Sequence, residues 1–297
     1  MNGAAGSALS KGLSLVRFSH TIFALPFALA SAWVAAGGLP PAATLGWIVL
    51  AAVAARTAAM AFNRLVDRRI DAQNPRTQQR ELVTGALSPV FARGLVIAAS
   101  AVFVAAAAAL GPWCLWLSPA VLAVLLGYSY AKRFWSGAHL WLGLALALAP
   151  LGAWLAVRGD FSGPLGAPLS LAVAVALWVA GFDLIYACQD AEFDARSGLH
   201  SVPGRYGVAM ALKLARLSHA GALLALAAFA VFAGLSPWFA LVLLAIAGLL
   251  FAQHRLVSPG DLSRVDLAFF TLNGWVALGF FAGVVIDLAL HPLGGQP

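Results

Sequence analysis

Charge is scarce in this chain. Only 10% of its 297 residues are Asp, Glu, Lys or Arg, against about a quarter in an ordinary soluble domain. Hydrophobic residues make up 62%, and mean hydropathy is +0.90. Polar helix faces are missing over long stretches as well, which excludes a soluble helical protein with a large core. Acid is scarcer than base, 11 residues against 18. The resulting net charge of +7 does not point to nucleic acid, because the basic residues lie between apolar runs, as topology signals do. Cysteine is nearly absent. Cys114 and Cys188 are isolated and form no CxxC pair, so neither a disulfide framework nor a zinc site is expected.

What is present is a series of apolar runs of bilayer length. Nine candidate spans fall at 18–36, 43–62, 94–111, 113–131, 138–157, 168–187, 211–233, 236–253 and 267–289. Turn signals separate them: GGLPP at 37–41, GPW at 111–113, GPLGAP at 163–168 and LSPW at 235–238. Only helices satisfy their own backbone in an open bilayer architecture, so the expected fold is an all-α polytopic membrane protein, one domain over 1–297. The first run exceeds the usual hydrophobic core of a cleaved signal and is expected to remain as a span.

Sixteen of the 18 basic residues fall on one side of this arrangement. Arg158 falls on the other, and Arg56 lies inside a span. That bias predicts a cytoplasmic N-terminus and, after nine spans, an outer C-terminus. The two long inner connections are 63–93 and 188–210.

Seven of the 11 acidic residues gather in or beside those two connections. The first stretch reads Asn63-xxx-Asp67-xxx-Asp71. The second, YACQDAEFD, reads Tyr186-xxx-Asp190-xxx-Asp194. Steps of four place each triplet on one helical stripe. Arg56 and Asp183 continue the two stripes inward by seven residues each. An ionised Asp at the bilayer centre costs about 2.5–3.5 kcal/mol, and five facing lipid would cost roughly 15 kcal/mol. The carboxylates must therefore face a polar cavity, where they repel each other.

Two arrangements relieve that repulsion. The aspartates could pair with Arg64, Arg68, Arg69 and Arg196 as solvated loop charges. Alternatively, Mg²⁺ could sit between them and a diphosphate, since it suits carboxylate oxygens and keeps positions for substrate phosphates. Matched motifs at equivalent ends of two spans favour the second. Arg76 and Arg80 in the first connection, with Lys132 and Arg133 in YSYAKRFW (128–135), would then reach free diphosphate oxygens. His20, His219 and His254 show no ligand spacing and are expected to be satisfied groups at helix ends.

At this point the sequence resembles the UbiA superfamily of intramembrane prenyltransferases. The resemblance rests on Asn63, Asp67 and Asp71, on Asp190 and Asp194, and on Arg56, the Arg76 of the following RT pair, Tyr128-xxx-Lys132-Arg133, and the Asp183–Tyr186 lead. It implies nine helices around a central cavity open to the cytoplasmic side of the inner membrane. It also implies Mg²⁺ held by Asn63, Asp67, Asp71, Asp190 and Asp194, and a polyprenyl diphosphate bound by Lys132, Arg133, Arg76 and Arg64. A hydroxy-aromatic acid of the 4-hydroxybenzoate or 1,4-dihydroxy-6-naphthoate type would meet Arg56, Asp183, Tyr186 and Arg17. Two positions depart from many relatives: Arg64 stands where they have Asp, and His200 where they have Lys. The contrasting functions are an ion-coupled transporter built around Arg56 and Asp183, and a related enzyme whose acceptor is not an aromatic acid.

Overall fold

The computed structural model describes residues 23–291, and no β-strand occurs among them. Helix α1 is Leu25–Ala36, α2 Ala42–Val66, the short α3 Arg68–Asp71, α4 Pro89–Leu110, α5 Pro112–Ala131 and α6 Ala138–Arg158. Helix α7 is Gly166–Ala187, followed by a 3₁₀ turn Cys188–Asp190. Then come α8 Ala191–Arg196, α9 Val202–Tyr206, α10 Val208–Phe232 and α11 Phe239–Arg255. A π-helical turn, Leu267–Leu272, leads into α12, Asn273–Leu290.

The expected turns stop and start these helices. Gly37 takes the left-handed conformation (φ 68°) after α1, and its N–H and that of Gly38 return to Val34 O and Trp33 O. Pro112 opens α5 one residue after Gly111, whose φ of 131° turns the chain sharply out of α4. Ser88 caps α4 by accepting from the Phe91 N–H.

Seven helical segments are long and apolar enough to cross a membrane. Two further apolar helices, α1 with 12 described residues and α11 with 17, occupy the first and eighth expected spans. Residues 18–22 of the first expected span lie outside the described residues. The chain is thus an all-helical, multi-pass membrane protein.

Helix α7 lies at the centre. Apart from Asp183 near its end its sequence carries no charged residue and no polar face, as a surrounded helix requires, and it packs closely on α6 and α10. Gly143 makes the α6 contact possible. A Cβ there would stand 2.1 Å from the Ala176 carbonyl oxygen of α7. An aromatic cluster fills the space between α1, α7 and α12. Phe27 stacks on Phe280 at 4.9 Å and lies 5.0 Å from Trp178.

His219 departs from the helix-end expectation. It is buried in the middle of α10, with Nδ1 2.9 Å from His254 Nε2 on α11. The four-residue ladder within one sequence segment could not show a contact between two different helices.

Candidate active site

The two acidic motifs form where helices end. Asp67 closes α2, and Asn63 Nδ2 donates to its Oδ2 at 2.9 Å. The next short helix carries Asp71, whose backbone N–H reaches back to Asp67 O. In the second motif, α7 tightens into the 3₁₀ turn holding Asp190, and α8 carries Asp194. Asp71, Asp190 and Asp194 are buried.

The segment 74–88 runs between the motifs and joins them. Asn74 Nδ2 donates to Asp190 Oδ1 at 3.0 Å. The Arg76 guanidinium grips both Asp190 oxygens, with Nε to Oδ1 at 2.8 Å and Nη2 to Oδ2, while its Nη1 donates to the Tyr186 hydroxyl at 2.9 Å. Arg80 Nη1 donates to Asp71 Oδ1 at 2.6 Å. From the end of α5, Arg133 Nη2 meets Asp67 Oδ1 at 3.0 Å and Val66 O at 2.8 Å. Lys132 Nζ stands 3.8 Å from Asp194 Oδ2.

Each motif aspartate therefore lies within ion-pair distance of a cation that is not its immediate sequence neighbour. Arg68 donates instead to Leu82 O, and Arg196 lies near Glu192 on the exposed face of α8. The partners are Arg76, Arg80, Lys132 and Arg133, the side chains expected from the sequence to reach free diphosphate oxygens. Burial lifts the Asp67 carboxyl above its ordinary value, and Asp71 adds to this, while Arg133 and Lys132 pull it down. Burial works against the Arg76 charge, yet its bonds to Asp190 and Tyr186 hold that guanidinium above its usual value.

These groups surround a polar cavity of about 170 Å³. Its wall includes every expected metal ligand, together with Arg76, Lys132, Arg133, Asp183 and Tyr186. It also includes Asn74, Thr77, Arg80, Tyr128 and Ser129. A larger hollow of about 280 Å³ between α11 and α12 is lined by aliphatic residues and Trp275, with no titratable side chain, and offers no chemistry.

Three expected residues fall elsewhere. Arg64 is buried and does not line the cavity. It follows Asn63 directly, and one step along a helix turns a side chain by about 100°. Arg56 does not line it either, and its buried Nε has no hydrogen-bond partner among the described residues. Arg17 lies outside the described residues. Asp183 does not pair with Arg56; it pairs with His139 Nδ1 at 2.6 Å. No short-range sequence signal marks His139, 44 residues away. His200 ties the second loop to α5 through its backbone N–H, which donates to Lys132 O at 2.7 Å.

The donors fit a hard divalent cation. Among the described residues no three Asp, Glu, His or Cys side chains converge as a ready cage. Mg²⁺ does not need one, since it is usually held by one or two carboxylates plus substrate phosphates. Asp194 Oδ2 is buried without a hydrogen-bond partner and is one oxygen such an ion would satisfy.

Comparison with known proteins agrees with this geometry. The profile of the UbiA prenyltransferase family matches residues 24–276. A 4-hydroxybenzoate solanesyltransferase from Synechocystis sp. is 32% identical over 269 residues, covering 87% of this chain and 88% of the relative. A 4-hydroxybenzoate octaprenyltransferase from Pseudomonas fluorescens is 34% identical over 271 residues, covering 89% and 87%. The apo structure of a UbiA homolog from Aeropyrum pernix K1 superposes with a TM-score of 0.81 at 37% identity, covering 91% of this chain and 98% of that one. A UbiA homolog from Archaeoglobus fulgidus, solved with DMAPP and Mg²⁺, shares the fold with a TM-score of 0.74 at 21% identity, covering 94% and 99%.

Proposed function

The chain belongs to the UbiA prenyltransferase family, and on that premise we propose that it transfers a polyprenyl group from polyprenyl diphosphate to a hydroxy-aromatic carboxylic acid in quinone biosynthesis. The acceptor is of the 4-hydroxybenzoate type, which its relatives' names favour; 1,4-dihydroxy-6-naphthoate is the second candidate. The observation that carries this reading is the convergence of four aspartates and four cations, from three separate chain segments, on one cavity.

Asn63, Asp67, Asp71, Asp190 and Asp194 would hold Mg²⁺, which supplies charge neutralisation for the departing diphosphate. Arg76, Arg80, Lys132 and Arg133 exchange their aspartates for diphosphate oxygens. The cavity must widen in that exchange, because ligand sites of this kind span about 300–1,000 Å³. Loss of diphosphate leaves an allylic cation, and the ring carbon ortho to the hydroxyl attacks it. The apolar helices around the site keep water away from the cation. Arg56, with Arg17, orients the acceptor through its carboxylate.

The whole chain acts as one domain. On this reading α1 and α11 count as spans and the chain has nine, with the cavity on the cytoplasmic side of the inner membrane, N-terminus inside and C-terminus outside. This follows from the one-sided Lys and Arg distribution. The test is mass analysis of products formed by the purified chain in proteoliposomes from one polyprenyl diphosphate and several aromatic acids. Prenylated 4-hydroxybenzoate is expected. No prenylated acid from any donor would overturn the assignment.

A further inference from the structure

Asp183 occupies an unusual position. It lies on α7, seven residues before Asp190 on the same stripe, roughly 10 Å deeper into the bundle at the helical rise. It lines the cavity, and its Oδ2 meets His139 Nδ1 at 2.6 Å. Among the described residues it makes no other hydrogen bond. His139 is 1% exposed, behind Asp183 at the start of α6, and its Nε2 is buried with no partner. A buried polar atom left unpaired costs about 1–3 kcal/mol, so a structural histidine is a poor choice here. The close α6–α7 contact at Gly143, one turn beyond His139, fixes the pair.

The cations that grip the motif aspartates all belong to the outer layer of the cavity. Asp183 faces none of them within ion-pair distance. With diphosphate bound by those cations, as the proposed function has it, the acceptor ring would stand one layer deeper, beside Asp183. Tyr128 also lines the cavity, but a phenol already holds its proton and is a donor there.

Resting on the function proposed above, we propose that the His139–Asp183 pair removes the ring proton, with Asp183 as the catalytic residue and His139 as its positioning residue. The ring carbon forms a bond to C1 of the prenyl group while the C1–O bond breaks, its electrons leaving on diphosphate. The C–H proton at the attacked carbon then passes to the free Asp183 oxygen, and its electron pair restores the aromatic ring. Nδ1–H of His139 donates to Asp183 throughout, which fixes the carboxylate's rotation and keeps one oxygen aimed into the cavity.

The test uses the full chain in proteoliposomes with acceptor acid carrying either hydrogen or deuterium at the attacked ring positions, whichever of the two acids the wild type prenylates. Wild type is expected to show no isotope effect on kcat. Asp183→Asn should lower kcat about 100-fold or more, the usual worth of a general base, and should develop a primary isotope effect because proton loss becomes limiting. His139→Leu should do the same more weakly. His139→Asn, whose amide can donate from the Nδ1 position, should restore most of kcat and abolish the isotope effect. A purely structural pair would not move this readout. Wild-type rates in Asp183→Asn, or slowed turnover without an isotope effect in both Asp183→Asn and His139→Leu, would overturn the proposal. If wild type prenylates neither acid, the proposed function fails and this inference fails with it.

Discussion

Arg76 holds Asp190 by both carboxylate oxygens across 114 residues of chain, and so ties the first motif loop to the second. The same guanidinium lies 5.1 Å over the Tyr186 ring. A planar fork that satisfies a carboxylate can satisfy a diphosphate equally well. Arg76→Ala is expected to lower kcat/KM for the prenyl diphosphate by roughly 10- to 100-fold, from loss of one charged contact of about 1.5–3 kcal/mol. Arg76→Lys should recover little, because an ammonium cannot bridge two oxygens in this way. Steady-state kinetics over donor concentration checks both, and full recovery by lysine would show that only net charge matters there.

The proposed metal-binding role would divide the aspartates from other acids. Asp67→Ala and Asp190→Ala should each reduce turnover to background, and EDTA should do the same to wild type, with Mg²⁺ restoring it. Asp261 lies in an exposed loop, capping Ser263, and takes no part in the cavity. Asp261→Ala is expected to stay within about twofold of wild type, since surface changes seldom exceed 0.5 kcal/mol. The measurement is diphosphate release beside a thermal midpoint in detergent. Near-normal release from both motif variants would return the aspartates to the role of loop charges.

Much of this site was legible in the sequence because its acidic and amide side chains obey local rules. Steps of four residues mark one helical stripe, and Asn63, Asp67, Asp71, Asp190 and Asp194 all line the cavity. The helix positions followed from hydropathy and from Gly and Pro signals. Partner choice was not legible. Sequence neighbours suggested Arg64, Arg68, Arg69 and Arg196 as counter-ions, whereas the fold supplies Arg76, Arg80, Lys132 and Arg133. His139 and the His219–His254 contact were hidden for the same reason: each pairing depends on which helices touch, a relationship that periodicity within one helix does not contain.

The α6–α7 contact can be probed directly. A methyl group at position 143 would collide with the Ala176 backbone carbonyl, and backbone cannot yield as a side-chain tip can. Gly143→Ala should therefore destabilise the protein by about 1–3 kcal/mol, the range for overpacking. Gly152 lies on the same helix with nothing within 4 Å of its notional Cβ, so Gly152→Ala should be neutral or stabilising. Thermal unfolding in one detergent compares them; equal midpoints would mean that the helices separate at no cost.

Orientation has its own test. A reporter fused after Pro297 is expected to report the outer side, and one inserted beside Gln78 the cytoplasm. Both follow from the basic-residue distribution. The reverse pattern would place the cavity mouth on the far side of the membrane and overturn the proposed orientation.

Arg56 offers the sharpest question about the acceptor. It lies inside the membrane span of α2, seven residues before Asn63 and roughly 10 Å deeper at the helical rise. A guanidinium at such depth needs an anionic or strongly polar partner. The obvious internal candidate, Asp183, is taken by His139, and no carboxylate among the described residues forms an ion pair with Arg56. The carboxylate of an aromatic acid is a partner of the right charge and shape, and binding it at this depth would leave the hydroxylated ring pointing toward the diphosphate layer. Arg56 does not border the cavity as it stands, so the acid must enter with a local rearrangement of the wall between Arg56 and Asp183. Arg56→Ala should then raise KM for the aromatic acid by about 10- to 100-fold, the loss of a charge-assisted contact, while KM for the prenyl diphosphate changes little. An analogue carrying an amide in place of the carboxylate should be a poor acceptor for wild type and should be penalised no further by the substitution. If the variant loses donor affinity alone, or if the amide reacts as well as the acid, Arg56 does not bind the acceptor carboxylate.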